Sequence, residues 1–220
     1  ALWVVDFHRF VIEHPRWIPA DRLKELDVRA GAGMGRIYRL VPAGGRAHPI
    51  RNLRTMDALE LARVLRGSSG TLRDLAHREL LDRARVEGPR GVASLLGESA
   101  AFTPAGAEAQ RLALLHQLEP SDDTMLLRAL RFSSPRLRRF VLTLLEPATP
   151  ESRTRAPAAE VLALADDPDP GVRFQLALTL GEFRSPAAAQ ALGRIARRDG
   201  GDPRVRAAIL SSVLAEPAAF

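Results

Sequence analysis

Asp169-Pro170-Gly171-Val172-Arg173-Phe174-Gln175-Leu176-Ala177-Leu178-Thr179-Leu180 decides the fold. Val172, Leu176 and Leu180 stand four apart, the spacing that lays side chains along one face of an α-helix. Asp169 offers an oxygen to the free N–H groups of the first turn. Pro170 takes the first helical position, where its missing donor costs nothing. The same pattern recurs around four other arginines. The residues just before Arg73, Arg111, Arg138 and Arg206 are Leu72, Gln110, Leu137 and Val205. Four positions on stand Ala76, Leu114, Val141 and Ile209, and eight on Leu80, Leu118, Leu145 and Val213. Only Gln110 breaks the apolar stripe. A buried helix face that returns along a chain is the signature of a helical solenoid.

The start signals recur as well. Ser134-Pro135 and Asp202-Pro203 repeat the cap-then-proline pair, Thr103-Pro104 places it slightly earlier in the second copy, and Ser69-Gly70 opens the first. Partner helices precede each arginine helix, over roughly 55–66, 89–97, 121–131, 156–166 and 185–198, and Glu119-Pro120, Glu146-Pro147 and Glu216-Pro217 mark helix ends. Successive anchor arginines are 38, 27, 35 and 33 residues apart, so one unit is degenerate. The expected fold is mainly α: an α-solenoid of about five helical pairs over residues 46–220, stacked with a right-handed turn. A β-type segment, residues 1–45, precedes it. There Leu2-Trp3-Val4-Val5 and Ile37-Tyr38-Arg39-Leu40-Val41 read as two short strands. Two strands are too few for an independent sheet, so this segment is expected to pair with further strands or to pack on helices.

Composition excludes several chemistries. Without cysteine, there are no disulfides, no thiolate catalysis, no cysteine-ligated zinc and no covalent c-type haem within this chain. No run of about 18 apolar residues could form a transmembrane helix. The chain opens Ala1-Leu2-Trp3-Val4-Val5 without the features of a signal peptide, and reads as an internal piece of a longer protein. The net charge of +6 is almost wholly arginine, Lys24 being the only lysine. The arginines are dispersed and often flanked by acids, as in Arg73-Asp74 and Arg78-Glu79, which reads as a solvated surface rather than a phosphate-binding stripe.

Asp167-Pro168-Asp169-Pro170-Gly171-Val172-Arg173 and Asp202-Pro203-Arg204-Val205-Arg206 resemble HEAT-like repeats, although the period is shorter than the roughly 40–47 residues usual there. The resemblance implies a structural ladder in which turn aspartates bond to the anchor arginines. Its expected members are Arg73, Arg111, Arg138, Asp169, Arg173, Asp202 and Arg206. A second resemblance rests on Val5-Asp6, Arg9-Phe10-Val11-Ile12-Glu13-His14-Pro15, Trp17-Ile18-Pro19 and Gly31-Ala32-Gly33-Met34-Gly35-Arg36-Ile37-Tyr38-Arg39. This stretch resembles the end of the β-propeller in planctomycete-type membrane-bound dehydrogenases. Those are similar to sorbosone and glucose dehydrogenase propellers, followed by HEAT-like repeats and a c-type cytochrome domain. The chain departs from that family by lacking most of the propeller and the haem-binding Cys-x-x-Cys-His. The resemblance therefore implies no cofactor in this chain, a c-type haem elsewhere in a parent sugar or alcohol dehydrogenase, and a periplasmic or cell-envelope location.

Four sets of residues invite a chemical reading. Gly31-Ala32-Gly33-Met34-Gly35 has the glycines of a dinucleotide loop, but strand-like residues follow it where a helix N-terminus would be needed to meet phosphate. His8, His14, His48, His77 and His116 do not form a His-x-x-x-His pair, so a metal site is not expected, and His14 before Pro15 reads as a loop-fixing residue. Asp122-Asp123 and Asp166-Asp167 stand at helix edges, where carboxylates suit the helix dipole and the turns. Asp6, Arg9, Glu13, His14 and Arg36 are the densest polar set and the candidate junction or binding residues, with a Glu13–Arg36 salt bridge as the expected latch. No catalytic constellation emerges. The expected function is a non-catalytic scaffold, the connector between propeller and cytochrome domains, with those domains as partners. Two rivals are a free-standing protein-binding solenoid and a nucleic-acid-binding one.

Overall fold

The computed structural model describes residues 2–45, 51–96, 105–120, 123–147 and 149–213. His48, Thr103-Pro104, Asp122 and Glu216-Pro217, named above, lie outside these, as do the expected helix edges at residues 97 and 121–122. The chain divides into two compact units, Ala1–Arg51 and Asn52–Phe220.

In the first unit β1 (Leu2–Asp6) and β2 (Arg36–Leu40) form a two-stranded antiparallel sheet, paired from Leu2 opposite Leu40 to Asp6 opposite Arg36. The two predicted strands thus pair with each other, although 29 residues separate them. The connection is organised by short bonded turns, which make the closure local. A 3-10 turn spans Pro15–Trp17, and a single helical turn, α1, spans Ala20–Leu23. The chain then doubles back so that Phe10 N–H donates to Ala30 O at 3.3 Å. Gly31 sits at φ +77°, and a Cβ there would come within 1.9 Å of the His8 carbonyl oxygen, so only glycine fits. Apolar residues lie on both faces of the sheet, and Leu2, Trp3, Val4, Val5, Ile37 and Leu40 are all exposed.

The second unit is helical throughout its described residues, and five helical pairs can be traced. They are α2 (Ala58–Leu65) with α3 (Gly70–Glu87), and α4 (Pro89–Leu96) with α5 (Ala105–Leu118). Then come α6 (Thr124–Ala129) with α7 (Pro135–Leu144), and, after a single turn α8 (Pro150–Arg153), α9 (Ala159–Ala163) with α10 (Pro170–Leu180). A 3-10 turn, Leu164–Asp166, extends α9, and α11 (Pro186–Asp199) with α12 (Pro203–Val213) completes the series. The arginine helices form one row, α3 against α5, α5 against α7, α7 against α10 and α10 against α12. Each packs on its own partner helix, α10 through the 3-10 turn Leu164–Asp166 that extends α9. The chain is mainly α, a helical solenoid.

The recurring stripe is the core of this stack. Ala76, Leu80, Leu114, Val141, Val172, Leu176 and Leu180 are at most 1% exposed. Full burial of one such leucine or valine is worth about 1.5–3 kcal/mol against leaving it in water. The cap residues act as their sequence positions require. Ser69, Ser134 and Asp169 accept from the backbone N–H of Leu72, Leu137 and Val172. The core has two parts that meet at α5, which gives Leu112 to the cluster running on to α12 and Leu114 and Leu118 to the cluster beginning at Leu53.

Candidate functional site: the arginine ladder

The arginines at 73, 138, 173 and 206 each stand four residues after the residue that precedes their helix. From that position a guanidinium on the first turn can reach back over the helix start. One nitrogen, Nη1, donates to the carbonyl six residues earlier in all four: Arg73 to Gly67 at 2.9 Å, Arg138 to Phe132 at 2.7 Å, Arg173 to Asp167 at 2.6 Å and Arg206 to Gly200 at 3.0 Å. In the first three it also reaches the carbonyl five residues earlier. These are carbonyls of the turn between paired helices, which no ladder of helical bonds satisfies. A cation is well suited to hold two of them at once.

The other edge of the fork points to the next repeat. Arg138 Nε and Nη2 each lie 2.8 Å from the two oxygens of Asp167, and Arg173 Nε and Nη2 lie 2.6 and 2.7 Å from those of Asp199. Both pairs are bidentate, and their side chains are 4–16% exposed. Asp167 is the densest node. Its carboxylate also accepts from Asp169 N–H at 2.9 Å, and its backbone carbonyl takes Arg173. One residue therefore links α7, the turn before α10, and α10 itself. Hydrogen bonding with Arg173 holds the Asp199 carboxyl below the usual carboxylate range, and the same bond raises Arg173 above its ordinary value.

The acceptors are therefore not the aspartates expected from the sequence. Asp169 caps α10, and Asp202 accepts from Arg204 N–H at 2.8 Å and pairs with the Arg204 side chain at 3.2 Å, which holds its carboxyl low. An aspartate at the helix cap is committed to the N–H groups of its own first turn. The carboxylate two or three residues earlier, at Asp167 or Asp199, is the one left to face the preceding repeat. A signal for this was present in Asp167-Pro168-Asp169-Pro170, where a single cap needs only one of two aspartates.

The first repeat uses a neutral partner. Arg73 Nε donates to Gln110 Oε1 at 3.2 Å, and Gln110 Nε2 donates to Asp74 at 2.6 Å. Gln110 interrupts the apolar stripe because an amide can accept from a cation and donate to an anion at once. Arg111 lies deeper in its helix, beyond the first turn of α5, and pairs with Glu108 of the same helix at 2.7 and 2.9 Å, both residues buried. Gly106 leaves space beside the Arg73 guanidinium, where a Cβ would stand 3.2 Å from Nη2.

The junction candidates are held individually. Asp6 accepts from His8 N–H at 3.1 Å and lies 3.7 Å from the His8 ring. Arg9 donates to Val28 O, His14 Nδ1 accepts from Arg16 N–H at 3.2 Å, and Arg36 donates to Met34 O at 2.8 Å. Glu13 is exposed, and no Glu13–Arg36 ion pair forms among the described residues, because Arg36 folds back on its own turn. Residues Gly31–Gly35 form consecutive turns leading into β2, with no helix after them to receive phosphate. Burial pushes the His77 ring below its ordinary value, against a Gln117 hydrogen bond and the Asp74 charge that raise it. Asp166 lies 3.8 Å from Arg194. Among the described residues no three His, Asp or Glu side chains cluster as metal ligands would, and no helix is long and apolar enough to cross a membrane.

A helical solenoid with buried arginine rungs is the class of protein these features define. Residues 123–213, from the edge of α6 to the end of α12, match the family model described as HEAT repeats. Residues 1–44 match a family described as a domain of unknown function, DUF7133. No curated protein and no solved structure matches the chain.

Proposed function

We propose that this chain is a non-catalytic scaffold, the connector that fixes the spacing between a propeller and a c-type cytochrome domain in a haem-linked sugar or alcohol dehydrogenase of the planctomycete type. HEAT-like repeats suit a scaffold or protein-interaction role. The observation that carries the non-catalytic reading is the use of the buried charge. Arg111, Arg138 and Arg173 each hold a carboxylate, and the last two hold turn carbonyls as well. Groups committed in this way stiffen a rod and leave no acid–base pair open to substrate. The connector role is supported by the first unit, whose sheet carries exposed apolar residues on both faces, as an internal fragment of a larger sheet would. In this reading residues 1–45 are the end of a propeller blade, residues 46–220 the repeat domain, and the location is periplasmic or the cell envelope.

The test is binding of the 220-residue chain to separately produced propeller and CxxCH cytochrome domains encoded with it, followed by calorimetry. Saturable binding of both, with no turnover of sugar aldehydes by the chain alone, is the expected result. Turnover by the isolated chain, or binding to neither domain, would overturn it. Steep loss of DNA binding with salt would instead favour the nucleic-acid reading.

A further inference from the structure

The last rung of the ladder is open. Arg138 and Arg173 use Nη1 on their own turn and the Nε–Nη2 edge on the carboxylate of the following repeat. Arg206 makes the first kind of bond, to Gly200 O, and its Nε–Nη2 edge has no acceptor among the described residues. The apolar surface beside it is open too. Four residues after the anchor, Leu142 and Ala177 are 0% exposed; Leu210, at the same place on α12, is 58% exposed. Arg138 and Arg173 are buried, whereas Arg206 is exposed.

We infer that this face of α12 is a docking site for one further helical pair, whose turn presents a carboxylate to Arg206 and whose second helix covers Leu210. Continuity with the repeat-to-repeat contact of α7 on α10 and α10 on α12 argues for a helical partner. The free bidentate edge selects an acid in its turn. A second copy of this chain, stacked head to tail, fits poorly. Its first repeat would present the turn Arg66-Gly67-Ser68-Ser69, which has no carboxylate. The inference deepens the scaffold reading and rests on it, by naming where along the solenoid a neighbour attaches. The test reads α12 alone, so either can fail without the other.

The test uses the chain's own geometry. A duplicate of residues 181–213 is inserted between Val213 and Leu214, which brings the duplicate's counterpart of Asp199 to Arg206 in the register that Asp199 has with Arg173. The melting temperature is then read for the parent, for the extended chain, and for both carrying Arg206→Ala. The extended chain is expected to melt several degrees higher. Arg206→Ala should cost several degrees in the extended chain and at most about one in the parent, and Asn at the duplicated Asp199 should mimic it. Equal effects of Arg206→Ala in the two chains, or no gain on extension, would overturn the proposal. Sedimentation of the parent chain completes the test: a monomer is expected, whereas a concentration-dependent dimer abolished by Arg206→Ala would assign the face to a second copy and also overturn it.

Discussion

The first repeat and the later ones place arginine at the same point of the helix start and give it different work. From α6 onward, Arg138 and Arg173 each clasp a carboxylate of the next repeat, 29 and 26 residues away, with their side chains nearly out of water. In the first pair Arg73 instead meets the neutral amide of Gln110, 37 residues away. The difference bears on cooperativity. A stack of repeats is stable through its interfaces as well as its units, and an interface with a buried ion pair ties the fate of two units together. The HEAT-repeat match spans residues 123–213, which include both of these bidentate pairs.

The largest effect should come from breaking the densest node. Asp167→Ala leaves Arg138 buried without its partner and removes the bond to Asp169 N–H, and loss of one member of a buried pair costs about 3–5 kcal/mol. Urea unfolding should show that loss, and a double-mutant cycle with Arg138→Ala should give a coupling well above 1 kcal/mol. Gly181→Ala comes next. Gly181 has φ −64°, so alanine is conformationally acceptable and would ordinarily stabilise by a few tenths of a kcal/mol. Its Cβ, however, would lie 2.5 Å from Ser212 Oγ and 2.8 Å from Ser212 Cα, where α10 and α12 meet. The sign should reverse to a loss of about 1–3 kcal/mol in the same assay.

Acid should separate the charged rung at Asp199 from the neutral one at Gln110 in a different way. The folded pKa of Asp199 lies below its unfolded value, so its contribution is complete above about pH 3.9. It declines as pH falls from there through the lowered folded value. Arg173→Ala abolishes that shift. Stability measured from pH 5 to pH 2 should therefore fall less steeply in the variant than in the parent. The smallest effect should be at the neutral rung. Gln110→Ala forfeits two hydrogen bonds at a partly buried site, about 1 kcal/mol. Gln110→Glu should give no gain, because the new carboxylate would face Asp74 as well as Arg73. A stabilised Gln110→Glu variant would mean that the first half merely lacks an acid there.

The fold was legible because helices announce themselves locally. A stripe at i, i+4 and i+8 and a cap followed by proline each lie within a dozen residues, and both located the arginine helices. The rungs were not, because their partners lie 26–37 residues apart and depend on which of two nearby aspartates the helix cap consumes. Asp167 and Asp169 have the same chemistry and differ only in the direction the turn gives them. The single-turn helix α8 went unread for a related reason, since Thr149-Pro150 is a start signal with no apolar stripe behind it. In the first unit the strand sequences were readable, but their mutual pairing depends on Gly31 closing against His8, a contact across 23 residues.

Arg138 and Asp167 couple consecutive repeats. The most direct measurement is native-state hydrogen exchange, followed by mass spectrometry, on the parent and on Asp167→Asn. Such coupling should make protection fall together in α7 and α10, which Asp167 joins, while α3 keeps its protection. A loss confined to the turn around residue 167, with α7 and α10 exchanging as in the parent, would contradict it.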